Sequence, residues 1–403
     1  MPDWLIARAA LAVAAAGLAV AAAAAPAAEA ATAGTIGGAQ LAGRGVIVNY
    51  GSSGAPKLPG VKASAFVIAD AGTGQVLAAK DPHGWYRPAS TLKVLTAVSL
   101  IPLLNPNATV VASKQATSVS PDVVGLIAGH AYKISDLFTA LLTISANDAA
   151  VALTQATGSF GKGMALINAE ARHLQADDTV AVEPNGLDAP GQHTSAYDMA
   201  LIARQALRLP AFLKYDRTIS ATFGVSKKKS VTLDNQDSLL TSYPGAIGGK
   251  IGWTSAAGAT YIGMARRNGV TLIVTLLHCP ALTEIDSAKS LLNWGFAAVG
   301  KVTPVGTLVS AVQPAAPAPV RSVRSVRSAA TPAVGRRAAV RPPAAAAGPS
   351  TLATAGYSGA GVLVAGLGFA YSRRRRDRAI PVAARSPLVP DAEPTDLSGG
   401  RHR

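Results

Sequence analysis

Hydrophobic and polar positions along the chain define one compact stretch, about residues 61–300, flanked by segments that lack core-forming periodicity. It opens with ASAFVIADAGTGQVLAAKD, where two apolar runs around Gly-Thr-Gly predict a β-hairpin. Strand character returns after Ile247, and the Asn268-Gly269 dipeptide between apolar runs predicts a second tight hairpin. The stretch therefore begins and ends with β-structure.

Helical periodicity dominates the middle of this stretch. The predicted helices lie near Ser90, in KISDLFTALLTIS with Ser135 or Asp136 as start signal, in GKGMALINAEARHL, in SAYDMALIARQAL with Ser195 as N-cap and Asp198 three residues later, and over about 282–298. Strands at both ends with helices between them predict an α+β domain. Its antiparallel sheet is built from both chain ends of the domain and covered by helices.

Both ends of the chain carry long apolar runs outside the compact stretch. A long Ala/Leu/Val run after Arg8 ends at an A-x-A pattern, which predicts a signal peptide over residues 1–30, with an uncleaved anchor as the alternative. A second run of roughly 20 apolar or small residues precedes four arginines and predicts a transmembrane helix over 350–372 with a cytoplasmic basic tail over 373–403. We expect a single-pass cell-membrane protein whose domain lies outside the cytoplasm.

The segments that join these parts differ from the compact stretch in composition and charge. Residues 31–60 are rich in Gly, Ala and Ser and predict a flexible lead-in, and residues 301–349 predict a Pro/Ala/Arg-rich linker. Of the net charge of +15, residues 301–403 carry 15 Lys or Arg against 4 Asp or Glu, whereas residues 1–300 carry 22 against 18. Because the basicity belongs to the linker and tail, and the sequence has no phosphate loop or aromatic–basic interleaving, no nucleic-acid partner is expected.

The first candidate for chemistry is Ser90 with Lys93 in RPASTLKVLTA. Three residues apart on a helix, the two side chains share a face, so that the amine could take a proton from the hydroxyl. The alternative is a capping serine followed by a solvated lysine. Ser226 and Lys229 repeat the spacing in a polar run without other signs of chemistry, so the pair alone decides nothing.

Two further patterns accompany this pair in order. ISANDAA contains the only Ser-x-Asn of the chain, Ser145 and Asn147, and GGKIGWTSAAG contains the only Lys-x-Gly, Lys250 and Gly252. Each alone could be a loop cap or an exposed strand lysine. Together, in this order and in a strand–helix–strand arrangement, they favour a catalytic function.

Other chemistry finds little support in the sequence. The histidines show no metal spacing, and no G-x-S-x-G motif is present, so neither a metal site, a cofactor nor a Ser-His-Asp triad is expected. Cys279 lies in an apolar run and is predicted to be a buried small hydrophobic residue.

The three motifs together resemble S-x-x-K, S-x-N and K-T-G, the signature of the serine-type D-alanyl-D-alanine carboxypeptidases, which are low-molecular-mass penicillin-binding proteins. DAGTGQVLAAKD, SANDAAVAL and EPNGLDAPGQHTSAYDMA extend the resemblance over residues 61–300. The resemblance implies a β-lactamase/transpeptidase-like fold. It also implies a membrane-anchored DD-carboxypeptidase that removes the terminal D-alanine of peptidoglycan stem peptides and is acylated by β-lactams.

The resemblance also implies roles for individual residues. Ser90 would be the nucleophile, Lys93 its base and Ser145 the proton relay to the leaving group. The substrate-binding residues would be Asn147, Lys250, Gly252, Trp253 and Thr254, with the backbone N–H groups of Ser90 and Trp253 stabilising the oxyanion.

One position departs from the family pattern: Ile251 replaces the threonine of K-T-G. The β-branched side chain suits a strand, but loss of a hydrogen bond to the substrate carboxylate costs about 1.5–3 kcal/mol. Thr254 and Ser255 are near enough in sequence to compensate. Two alternatives therefore stay open. One is a catalytically weakened penicillin-binding scaffold. The other is a β-lactamase, which has less support because the sequence shows no deacylating glutamate motif.

Overall fold

The computed structural model describes residues 34–312. The predicted signal peptide (1–30), transmembrane helix (350–372), basic tail (373–403) and most of the linker (301–349) lie outside the described residues. Within 34–312, no helix has the length and hydrophobicity that a membrane span requires.

A seven-stranded antiparallel sheet forms the centre of the molecule. The strands of the described chain are β1 (Val46–Ile47), β2 (Asn49–Tyr50), β3 (Ala65–Asp70), β4 (Gln75–Lys80), β5 (Thr109–Val111), β6 (Ala131–Lys133), β7 (Ser220–Ser226), β8 (Lys229–Asp234), β9 (Ala246–Thr254), β10 (Gly258–Arg267), β11 (Val270–Cys279), β12 (Val302–Thr303) and β13 (Gly306–Thr307). The sheet order is β1-β4-β3-β11-β10-β9, and β13 also pairs with β4. The prediction of an antiparallel sheet built from both ends of the domain is confirmed.

Helices cover both faces of this sheet. They are α1 (Leu92–Leu100), α2 (Lys114–Thr117), α3 (Ile134–Thr143), α4 (Asn147–Gln155), α5 (Phe160–His173), α6 (Ala196–Ala206), α7 (Pro210–Asp216), α8 (Leu239–Ser242) and α9 (Glu284–Ala298). Because side chains alternate along a strand, Val67 of β3 joins the larger core with α1 and α3–α6, whereas Phe66 and Ile68 join the core under α9. Both faces of β3 are therefore buried.

The two predicted hairpins are present. β3 pairs with β4 around Gly-Thr-Gly, and β10 pairs with β11 around Asn268-Gly269. Asn268 and Gly269 have φ values of 48° and 81°, the left-handed pair that a two-residue type I′ turn requires.

Helix starts differ in part from the predictions. Ser195 caps α6 as predicted, accepting a hydrogen bond from the Asp198 N–H. In contrast, α3 begins at Ile134, so that Ser135 and Asp136 lie inside its first turn and neither side chain caps it. The hairpin β7–β8 was not predicted, because its residues are mostly polar and exposed.

The predicted boundaries at residues 60 and 300 are wrong. The lead-in contributes β1, which pairs with β4, and β2, which pairs with β12 beyond residue 300. Gly37 packs so closely on Tyr197 that any β-carbon would collide with the ring, and its carbonyl accepts from the Thr307 N–H (2.8 Å). Glycine and alanine pack here through backbone contacts, which hydrophobic periodicity does not reveal.

Candidate active site

Ser90 and Lys93 meet at the start of α1, after the loop that follows β4. Ser90 lies in a 3₁₀ turn, Ala89–Thr91, rather than in the helix that was predicted to begin near it. A hydrogen bond joins Lys93 Nζ and Ser90 Oγ (2.8 Å), and the Lys93 side chain is 0% exposed. Lys93 is therefore not a solvated lysine. In contrast, Lys229, which repeats the spacing with Ser226, is exposed.

Two more oxygen atoms surround the Lys93 amine. It donates to Asn147 Oδ1 (2.7 Å) and to the backbone carbonyl of Asn185 (2.6 Å). Asn185 was part of the family resemblance, but a role for its carbonyl oxygen was not predicted, since a backbone acceptor leaves no side-chain signal. These contacts leave the amine pointing at Ser90 Oγ with its other partners fixed.

Ser145 occupies the loop between α3 and α4 with an unusual backbone. Its φ of 63° is left-handed, a conformation that costs energy in a residue with a β-carbon and occurs preferentially at functional sites. The side chain is 4% exposed, and its hydroxyl has no hydrogen-bond partner among residues 34–312. Next to it, Asn147 is held by hydrogen bonds to the backbone carbonyls of Pro121 and Asp122.

Strand β9 is an edge of the sheet and brings the Lys-x-Gly motif to this turn. Lys250 is 2% exposed and donates to the Ile251 carbonyl (2.8 Å). A β-carbon on Gly252 would lie 2.7 Å from the Ser90 backbone nitrogen, so glycine is required for the strand to approach the nucleophile. The Thr260 hydroxyl of β10 secures the approach by donating to the Pro88 carbonyl (2.8 Å).

The outer end of β9 forms the rim of the site. Trp253 is 46% exposed. The Thr254 hydroxyl donates to Asp188 Oδ1 (3.2 Å), and Arg87 forms an ion pair with the same carboxylate oxygen (3.4 Å). Thr254 thus joins β9 to the Asn185–Asp188 segment across the site.

Ile251 lies on the other face of the strand from Lys250. Its side chain packs against the core under α9. The departure from K-T-G therefore preserves packing on that face and leaves position 251 without a hydroxyl.

The two buried lysines have different proton affinities. Burial, with the charge of Lys250 adding to it, lowers the pKa of Lys93 well below the usual lysine value. Burial also lowers the pKa of Lys250 to about 8, while the carboxylates of Asp216, Asp122 and Asp237 act in the opposite direction. At neutral pH Lys93 is therefore suited to accept a proton and Lys250 to carry a positive charge.

Asp216 and Asp237 were missed by the sequence analysis. They come from the end of α7 and the segment before α8, far from any recognised motif. Elsewhere, Cys279 is free and buried as predicted, and burial raises its thiol pKa to about 12. Residues 34–312 contain no group of three His, Cys, Asp or Glu side chains arranged to hold a metal ion.

A buried lysine hydrogen-bonded to a serine, beside an edge strand that carries a second lysine, is the arrangement expected of a serine acyl-transfer enzyme. The chain belongs to the D-alanyl-D-alanine carboxypeptidase family, whose model matches residues 52–280. The family resemblance seen in the sequence is thereby confirmed.

Known relatives agree with this assignment. The carboxypeptidase DacB2 of Mycobacterium tuberculosis is 38% identical over 251 residues, which cover 61% of this chain and 86% of that protein. DacD of Salmonella typhimurium is 31% identical over 60% of this chain, which spans 64% of its length. A crystal structure of a D-alanyl-D-alanine carboxypeptidase from M. tuberculosis matches with a TM-score of 0.60 and 36% identity, over 66% of this chain and all of that one. A Streptomyces DD-transpeptidase variant matches with a TM-score of 0.56 and 26% identity, over 59% of this chain and 99% of that one.

Proposed function

We propose that the protein is a membrane-anchored DD-carboxypeptidase that removes the terminal D-alanine of peptidoglycan stem peptides through an acyl-enzyme on Ser90. The observation that carries this proposal is the 2.8 Å hydrogen bond between Ser90 Oγ and the fully buried Lys93 amine. Only a largely neutral amine is a base, and burial supplies that neutrality.

In the first half-reaction, Ser90 Oγ attacks the carbonyl carbon of the penultimate D-alanine while its proton passes to Lys93 Nζ. The Ser90 and Trp253 backbone N–H groups donate to the oxyanion, a type of contact worth about 3–4 kcal/mol. The C–N bond then breaks, and the proton reaches the leaving D-alanine nitrogen through the Ser145 hydroxyl, which is free to donate and accept.

In the second half-reaction, water attacks the ester on Ser90 and releases the shortened peptide. Lys93 accepts a proton from this water and returns it to Ser90 Oγ. The Lys250 ammonium holds the carboxylate of the substrate, and Asn147 holds the acyl amide. β-Lactams, which carry a reactive amide and a carboxylate, would acylate Ser90 in the same way.

The experiment is D-alanine release from diacetyl-Lys-D-Ala-D-Ala by the full chain in detergent, compared with Ser90→Ala. Release that the substitution abolishes supports the proposal. Absence of release from a wild type that fluorescent penicillin still labels supports the weakened scaffold, which the missing Ile251 hydroxyl favours. Absence of both refutes the catalytic assignment.

Membrane anchoring rests on the apolar run over 350–372 and the arginines that follow it. Ending the chain before residue 350 should move the protein from the membrane fraction to the soluble extracytoplasmic fraction. Continued sedimentation of the shortened protein with membranes contradicts the C-terminal anchor and assigns anchoring to the N-terminal apolar run.

A further inference from the structure

Two buried carboxyl groups lie against β9 at Gly248 and Gly249, the two residues before Lys250. Asp216 is 0% exposed and Asp237 is 4% exposed. Asp216 Oδ2 accepts the Gly249 N–H (2.9 Å), and Asp237 Oδ1 accepts the Tyr261 hydroxyl (2.8 Å) and the Leu239 N–H (3.0 Å). The proposed mechanism uses neither group.

Space for both carboxyl groups comes from the two glycines before Lys250. A β-carbon on Gly248 would collide with Asp216 Oδ2, and one on Gly249 would lie 2.6 Å from Asp237 Oδ2. The acids thus approach the strand backbone at the two positions where a side chain is missing. This places them within one or two residues of Lys250.

One oxygen of each carboxyl group lacks a hydrogen bond within residues 34–312, which limits the negative charge that the pair can carry. Asp216 Oδ1 and Asp237 Oδ2 are buried and have no hydrogen-bond partner in the described part of the chain. Burial raises the pKa of both acids, and the charge of Asp237 raises the pKa of Asp216 further, well above its usual range. Two neighbouring buried carboxyls resist ionising together, which favours one negative charge for the pair over two.

A single negative charge here distinguishes the two active-site lysines. Lys250 is faced by this pair, by Asp122 in the loop that contacts Asn147 and by the Lys93 amine. Tyr261 of β10, which donates to Asp237, pairs with Ile251 and lies on the opposite face of the sheet from Lys250. Tyr261 is neutral because burial holds its pKa well above the usual value. For Lys93, Asp122 alone acts to raise the pKa. The acids therefore favour a proton on Lys250 over one on Lys93.

We propose that Asp216 and Asp237 are positioning residues that act as one unit, holding a single negative charge behind β9 so that Lys250 stays charged while Lys93 stays neutral. This inference rests on the proposed function, in which Lys250 binds the substrate carboxylate and Lys93 is the base. Neither acid touches the substrate; both act through Lys250.

The test is a pH profile of kcat/KM for Asp216→Asn, Asp237→Asn and the double variant. Asparagine can keep the hydrogen bonds that each acid accepts. Each single variant leaves one ionised carboxylate, so its alkaline limb should stay within about 0.3 pH unit of the wild type. The double variant removes the charge, and its limb should move about one unit lower, giving about tenfold lower kcat/KM above about pH 9. Asp198→Asn, which removes a buried carboxyl on α6 beside Thr179, is the matched control and should not move the limb.

If the alkaline limb of the kcat/KM profile does not move in a folded double variant, the proposal is overturned. If it moves by a full pH unit in one single variant, the shared charge is overturned. Should the double variant not fold, infrared difference spectra of the single variants carry the test. Each single variant should lack one protonated-carboxyl band that the wild type shows at neutral pH. If both single variants keep that band, the shared charge is overturned. If the wild type releases no D-alanine, the proposed function is refuted. The infrared spectra then still test the shared charge, because they do not depend on activity.

Discussion

Gly252 lies so close to Ser90 that a β-carbon at position 252 would be 2.7 Å from the Ser90 backbone nitrogen. That nitrogen is one of the two proposed oxyanion donors, so the edge of β9 and the turn of the nucleophile form one unit. Gly252→Ala should therefore separate them and lower the rate of acylation by penicillin about 100-fold or more, the usual effect of losing an oxyanion donor.

The matched control for Gly252→Ala is Gly161→Ala on α5. An added methyl group there meets nothing within 4 Å, and alanine favours a helix. The control should acylate at the wild-type rate, with unchanged or higher thermal stability. Equal acylation rates for the two variants, measured by stopped flow, contradict the role of the close approach.

Ser226 and Lys229 repeat the Ser-x-x-K spacing on the surface, which provides an internal comparison for the base. Lys93→Ala should lower acylation about 10²–10⁴-fold, the range for loss of a general base. Lys229→Ala, in the exposed repeat of the spacing, should leave the rate unchanged. A Lys93→Ala enzyme within tenfold of the wild type would show that another group removes the Ser90 proton.

The different proton affinities of the two lysines predict a bell-shaped pH profile of kcat/KM. Activity should rise with pH as Lys93, whose pKa lies well below the usual lysine value, loses its proton and becomes a base. It should fall above about pH 8, where Lys250 loses its charge. Lys250→Arg should remove the falling limb, because a guanidinium does not titrate in this range. Persistence of the limb in that variant would assign it to another group.

Ile251 marks the position where the family has a threonine hydroxyl. Ile251→Thr should raise kcat/KM about tenfold or more for a peptide with a free carboxylate, since a hydrogen bond to a charged group is worth about 1.5–3 kcal/mol. It should not help a peptide ending in a carboxamide, and Ile251→Val, which adds no hydroxyl, should change neither substrate. No gain from threonine would indicate that Thr254 already supplies the contact.

The fold was largely accessible from the sequence because its parts carry local signals. The Asn268-Gly269 turn, the Ser195 cap and the continuous apolar run of β3 each encode their structure within a few residues. The segments before residue 60 and after 300 carried no such signal: β1, β2, β12 and β13 are two-residue strands formed by backbone pairing with distant partners.

The candidate site divides in the same way. Ser90, Lys93, Ser145, Asn147 and Lys250 belong to short motifs, and the structure brings them together, although their catalytic roles stay predictions. The Asn185 carbonyl, the left-handed backbone of Ser145 and the acids Asp216 and Asp237 act through tertiary contacts. Residues at such positions have no common spacing, so a sequence pattern alone cannot identify them.

Mass spectrometry of the penicillin-treated full chain shows whether Ser90 is the acylated nucleophile. We expect one penicilloyl adduct per chain, carried by the peptide that contains Ser90 and absent from Ser90→Ala. An adduct on the peptide containing Ser145, or one that persists in Ser90→Ala, would contradict this expectation.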